Sequence, residues 1–395
     1  MTSDRPGVPL LKDLNLYVIF GTTLVSIMGV SSIAPALPSI SRSLNIPIDQ
    51  IGLLITFFTI PGILFTPVLG VLADRYGRKR ILIPSLFLFG IAGTACAFAV
   101  DFHQLLLFRF FQGLGSASLG VINLTLLGDL YNKRDRTTAL GYNGGVLSVG
   151  TAIYPAIGGA LTLLGWNYPF FLTLLAIPVG IFAATSLKTA QLDRSQKLGA
   201  YFQKIGSALK SKFVIGLFIV MLLTFLMLYG GYITFLTILL DDRFGLSALM
   251  IGLLLSGSSI LTGITSSQLG RLTLRFSEKY LILTAALLYM IFFLMIPQIQ
   301  TTTGFIIPIA LFGVAQGINI PSVLNLITGY AKKEYRAAFL SVNWMMMRTG
   351  QAIGPYILGL VYLYFGIDGT FYSSAFVAFI SLLIILFFIV PSDKH

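Results

Sequence analysis

Twelve apolar runs of membrane-spanning length set the limits on what this chain can fold into. They lie at roughly 15–38, 48–72, 81–100, 103–128, 138–163, 167–187, 213–240, 246–270, 280–298, 303–328, 338–364 and 368–390. A helix needs about 20 apolar residues to cross a bilayer, and each run suffices. Lipid offers the backbone no hydrogen-bond partners, so each run must satisfy its own N–H and C=O groups as a helix. Strand-sized alternating segments are absent. The expected fold class is therefore an all-α polytopic membrane protein with twelve transmembrane helices. Of its 395 residues 10% are charged, where a soluble domain carries roughly 25%.

The net charge of +12 would suit a nucleic-acid partner, but its placement argues otherwise. Of 26 Lys and Arg, 22 fall in segments that this topology puts on the cytoplasmic side. Arg42 and Arg243 lie opposite, and Arg109 and Arg348 lie inside spans. Such asymmetry fixes orientation, with attraction to anionic lipid as a by-product. An even number of spans puts both termini on one side, here the cytoplasmic one. The expected partners are membrane lipids and a small-molecule substrate, with no nucleic acid. Residues 1–14 are polar, and no cleavable signal is expected. Cys96 is the sole cysteine, which rules out an internal disulfide.

Residues 188–212 break the apolar pattern with Lys188, Arg194, Lys197, Lys204, Lys210 and Lys212 against one acid, Asp193. The expected organisation is an N-terminal six-helix bundle over 1–187, a cytoplasmic linker over 188–212 and a C-terminal six-helix bundle over 213–395. An amphipathic surface helix is expected near 199–211. The halves repeat at an offset of 200: Gly70, Leu72, Arg75 and Lys79 recur as Gly270, Leu272, Arg275 and Lys279. Asn143, Gly150, Pro155 and Gly159 recur as Asn343, Gly350, Pro355 and Gly359. The bundles are therefore expected to be pseudo-symmetric.

Between the second and third runs stands GVLADRYGRKR, residues 70–80. On a helix Gly70, Asp74, Gly77 and Arg78 share a face. Glycine allows close helix approach, Asp74 needs a partner at the membrane edge, and the basic residues hold the turn in the cytoplasm. The stretch resembles the signature G-x-L-a-D-r-x-G-r-k between helices 2 and 3 of the major facilitator superfamily. Gly70, Leu72, Ala73, Asp74, Arg75, Gly77, Arg78 and Lys79 match it. The resemblance implies two six-helix bundles that bind substrate midway between them, and a gate in which Arg78 pairs with Asp129 at the end of the fourth run. The other reading of Asp129 is a plain helix-end acid. In the second half Leu274 stands where Asp74 does, and Ser277 where Gly77 does.

The fourth run carries Arg109, Gln112, Gly113, Ser116, Gly120 and Asn123 on one stripe by 100° stepping. Lipid would not tolerate that stripe, so it faces the bundle interior or a wet cavity. Arg109 sits about 9 Å in from the outer end. Arg109, Gln112, Gly113, Gly115 and Ala117 resemble a second family signature, whose arginine lies near the cavity and proton pathway; a structural arginine held by helix 1 carbonyls is the other reading. The fifth run carries Gly141, Gly150, Pro155, Gly158 and Gly159, which resembles the family's antiporter signature G-x8-G-x3-G-P-x2-G-G. It departs once, with Tyr154 in place of the glycine before the proline.

In the second half the candidates are Tyr229 and Tyr232, Gln316 and Asn319, and Trp344, Arg348 and Gln351. Arg348 lies about 16 Å into its helix, where a cation is costly and a functional candidate by default; an internal salt or carbonyl partner is the other reading. The expected substrate cavity is Arg109, Gln112, Asn123, Asn143, Tyr154, Tyr229, Tyr232, Gln316, Asn319, Trp344, Arg348 and Gln351. Ordinary packing is the other reading of the two tyrosines. Gly150, Pro155, Gly159, Gly350, Gly354 and Pro355 are expected to pack or hinge helices 5 and 11.

No phosphate-binding loop, metal-spaced His/Cys cluster or nucleophile–base pair is present. No enzyme, cofactor or metal is expected. No Asp or Glu lies near mid-membrane, so proton coupling would run through Asp74, Asp129, Asp101 or Asp241, or through a charge on the substrate. The resemblance implies proton-coupled efflux of small amphipathic compounds by alternating access, in the inner membrane and as a monomer. An uptake permease for an anionic metabolite, a lipid or glycolipid flippase and a non-transporting receptor are the competing readings.

Overall fold

The computed structural model describes residues 10–187, 211–331 and 336–389. Residues 199–210 of the expected surface helix therefore lie outside the described residues, as does most of the linker. Among the described residues every regular element is helical. Ten spans are separate: α1 Leu14–Ser43, α2 Ile48–Tyr76, α3 Arg78–Phe98, α4 Phe102–Leu130, α5 Asp135–Thr162, α6 Tyr168–Ser186, α7 Lys212–Asp242, α8 Ala248–Leu272, α9 Glu278–Gln298 and α10 Thr302–Tyr330. The eleventh, Phe339–Phe388, runs for 50 residues. Straight, it would measure about 75 Å, more than twice a hydrocarbon core of about 30 Å. Gly366 breaks it with φ 66° and ψ −170°. The break makes two spans, α11 over 339–365 and α12 over 367–388, and brings the described total to twelve.

Side-chain caps start several helices. Asp13 accepts from the Asn15 amide ahead of α1, Asp101 from Gln104 ahead of α4, and Ser247 from Met250 ahead of α8. Each satisfies a backbone donor that the first helical turn leaves open.

The described residues form two compact units, one within Met1–Ala36 and Phe57–Ser195, the other within Leu37–Thr56 and Gln196–His395. The second unit thus takes in the end of α1 and the start of α2. Physical links within that unit explain the grouping. Arg42 holds Asp241 with both arms of its guanidinium, Nη2 lying 3.0 Å from Oδ1. Thr56 donates to the Ala352 carbonyl at 2.6 Å.

The 200-residue repeat is legible in hydrogen bonds inside each unit. Thr66 of α2 donates to the Ala117 carbonyl of α4 at 2.8 Å, and Ser266 of α8 to the Gly317 carbonyl of α10 at 3.1 Å. Lys79 of α3 reaches the Leu187 carbonyl at 3.1 Å, and Lys279 of α9 the Leu386 carbonyl at 3.2 Å. The turn between α2 and α3 needs Gly77, whose φ is 104°, a region that side-chain-bearing residues avoid. The equivalent Ser277 has an ordinary φ of −67° and instead caps α9.

One irregularity is absent from any sequence pattern. Residues Met227–Phe235 of α7 form a π-helical segment, in which the Thr234 hydroxyl donates to the Tyr229 carbonyl at 2.7 Å. π-helical turns are rare and frequently mark functional sites.

Candidate functional site

The turn after α2 assembles a charged cluster. Arg78 Nε lies 2.7 Å from Asp129 Oδ2, and its Nη2 lies 3.3 Å from Asp74 Oδ1. The Arg78 side chain is 15% exposed, against 38% for Asp129 and 52% for Asp74. A largely covered cation is therefore shared by two open acids. Arg136, at the start of α5, also acts on Asp129; the sequence offers it only as the repeat counterpart of Arg336. Arg75 is exposed and lies over the Tyr76 ring at 5.5 Å. Gly70 does not mark the close helix approach expected of it. A Cβ there would meet Val121 at 3.8 Å, an ordinary contact.

In the first unit the polar stripe of α4 points into the bundle. Arg109 is 1% exposed. Its Nη1 donates to the Gly29 carbonyl of α1 at 2.8 Å and to Gln112 Oε1 at 2.7 Å. The guanidinium also sits 4.3 Å from the centre of the Phe58 ring. Arg109 and Gln112 were expected in the cavity lining; both are instead enclosed, and the helix 1 carbonyl reading of Arg109 fits this geometry. Asn123 donates to Thr23 of α1, which donates to Asn143 of α5 at 2.6 Å. This relay joins three helices through a threonine that sequence reading passed over. Tyr154 is 8% exposed, its ring edge over Gly150, so it fills an interface.

Helix α5 meets α1 at its glycines. A Cβ at Gly158 would overlap the Ser32 carbonyl, and one at Gly150 would strike Ile27; Pro155 and Gly159 are buried. In the second unit α11 meets α7 the same way, Gly350 against the Leu222 carbonyl and Gly354 against that of Leu226. Pro355 lies against Gly52.

Asn319 of α10 donates to Thr224 of α7 at 2.7 Å, and Thr224 is the counterpart of Thr23 within one residue of the repeat. Gln316 accepts from Tyr289 of α9. Tyr232 is 5% exposed and stacks on Phe312 at 4.0 Å and 5°, with Phe292 at 5.9 Å. Tyr232, Gln316 and Asn319 thus belong to the bundle core rather than to an open lining. Asn343, the repeat partner of Asn143, is fully enclosed and bonds Met347 Sδ at 3.3 Å.

The remaining candidates are accessible. Tyr229 is half-buried and stacks on Phe225 at 5.8 Å. Trp344 is 40% exposed, and Arg348 and Gln351 are half-buried. Tyr229 is the titratable neighbour that Arg348 feels. Among the described residues Arg348 has neither an ion pair nor a hydrogen bond, whereas Arg42, Arg78 and Arg243 all have acids. Among the same residues no His, Cys, Asp and Glu cluster suits a metal.

Comparison with known proteins adds the family context. The sequence matches the Major Facilitator Superfamily over residues 19–251 and 217–395. It is 26% identical to a bacillibactin exporter of Bacillus subtilis, across 94% of this chain and 96% of that one. It is 23% identical to the class B tetracycline resistance protein of Escherichia coli, across 86% of each. Among solved structures, a nucleoside transporter superimposes with a TM-score of 0.80 at 15% identity, covering 95% of this chain and 99% of that one.

Proposed function

The chain belongs to the major facilitator superfamily, and we propose that it exports small amphipathic compounds by alternating access in exchange for protons. It is a multi-pass membrane transporter rather than an enzyme. The observation that carries the export reading is the antiporter-like series of α5, Gly141, Gly150, Pro155, Gly158 and Gly159, whose Gly158 sits against the Ser32 carbonyl of α1. Two full-length relatives named for export or for drug resistance support the same direction. Charge placement supports a plasma (inner) membrane location with both termini in the cytoplasm.

Coupling is assigned to the acids around Arg78. Asp129 and Asp74 share one guanidinium, so protonating either weakens a contact at the turn. Asp101 is committed as the cap of α4, and Asp241 to Arg42. The test is tetracycline flux in proteoliposomes with and without a pH gradient. Flux is expected to collapse with the gradient and in Asp129→Asn. Equal rates in both conditions would sink the coupling.

Uptake of an anionic metabolite is the second reading, favoured by Arg348 with no acid of its own among the described residues. Counterflow from right-side-out and inside-out vesicles separates it from export.

A further inference from the structure

We infer that the substrate carries an anionic group and that Arg348 of α11 is its counter-ion. The inference deepens the transport reading and rests on it. Cations that can be followed in the spans fall into two kinds. Arg109 is enclosed and already holds a carbonyl, an amide oxygen and an aromatic face. Its guanidinium is engaged within the closed bundle interior. Arg348 differs on each count. It is half-buried, and no described residue bonds or pairs with it. A guanidinium cannot be deprotonated at ordinary pH and presents a planar fork of five donors. In a span that fork needs water or an anion, and a carboxylate, phenolate or phosphate fits it in two places.

Among the described residues the surroundings add aromatic character and no ion-pair partner. Tyr229 is close enough to Arg348 to act on it electrostatically, and it stacks on Phe225 with rings 21° from parallel. Trp344, one turn before Arg348 on α11, is 40% exposed. Gln351, three residues on, supplies an amide. The support is stiff. Gly230, beside Tyr229, approaches the Gly354 carbonyl of α11 so closely that a Cβ would sit 2.8 Å from it. Tyr229 also lies in the π segment, which turns it relative to a regular α-helix. An aromatic or aryl-bearing acid meets all these features at once. A cationic amphiphile would meet Arg348 as a like charge.

The chain holds two tryptophans, Trp166 and Trp344, so Trp166→Phe leaves one reporter a turn from Arg348. Fluorescence of that protein, purified in detergent, is titrated with benzoate, benzamide and benzylamine, which share a ring and differ in charge. Benzoate is expected to perturb Trp344 saturably and to bind about tenfold more tightly than the other two. Arg348→Gln is expected to erase that preference and Arg348→Lys to keep part of it. Equal affinities, tighter benzylamine, no saturable signal, or a preference unchanged in Arg348→Gln would each overturn the assignment. Flux is read separately in proteoliposomes. Ethidium export with no benzoate preference removes the anion while transport stands. Arg348-dependent benzoate binding without flux of any probe leaves the site and removes the transport reading.

Discussion

Arg78 sits between two carboxylates on different helices, 2.7 Å from Asp129 of α4 and 3.3 Å from Asp74 of α2. Both acids are more than a third exposed, so solvent screens the pairs and each adds at most about 1 kcal/mol. The cluster therefore matters for switching more than for stability. Arg78→Ala is expected to move the thermal midpoint little while lowering flux by roughly tenfold, about 1.4 kcal/mol in rate. The exchange Arg78→Asp with Asp129→Arg should recover flux beyond either single change. Unaltered flux in Arg78→Ala would refute the gate.

The two interhelix turns of the repeat have diverged into different devices, and the difference is measurable. Gly77→Ala forces a side chain into φ 104° and is expected to cost about 1–3 kcal/mol. At the matching position Ser277→Ala removes a cap on α9 and should cost about 1 kcal/mol, while Ser277→Gly costs only tenths. Detergent unfolding curves give the ranking. Equal tolerance of alanine and glycine at 277 would argue against the cap.

Glycines of α5 divide by what faces them. Gly158 meets the Ser32 carbonyl, whereas Gly144 has nothing within 4 Å. Gly158→Ala is expected to push α5 off α1 at about 1–3 kcal/mol. Gly144→Ala, in the same helix, should be neutral or slightly stabilising. Gly70→Ala should also be tolerated, since Val121 lies at 3.8 Å. A larger penalty at 144 than at 158 would contradict the packing.

Much of this fold is readable from one sequence because lipid leaves few options. Hydropathy alone gives the spans, and the 200-residue echo of glycine, proline and basic residues anticipates hydrogen bonds such as Thr66 to Ala117 and Ser266 to Gly317. The site was less legible. Helical stepping says that Arg109, Gln112 and Asn123 face inward, but not whether inward means water or protein. That depends on Gly29, Phe58 and Thr23 arriving from other helices. Thr23 and Thr224 went unnoticed because a threonine in an apolar run looks like any β-branched residue; their offset of 201 beside two asparagines was the available clue. No periodicity in α7 announces its π segment. The grouping of Leu37–Thr56 with the second unit rests on Arg42 finding Asp241 across 199 positions, which no local pattern encodes.

The two intramembrane arginines give a paired prediction because their surroundings are opposite. Arg109→Ala strips charged hydrogen bonds from Gly29 and Gln112 in a closed interior. Each such bond contributes about 1.5–3 kcal/mol, so the variant should unfold well below the parent, and any lost flux should follow the lost folded protein. Arg348→Gln removes a charge that no described residue balances, and an unbalanced charge is costly inside a membrane. Its thermal midpoint should hold or rise, while the preference among benzoate, benzamide and benzylamine disappears. Measuring midpoint and selectivity on the same preparations separates the roles. A destabilised Arg348→Gln with intact selectivity, beside a stable Arg109→Ala with altered selectivity, would exchange the two assignments.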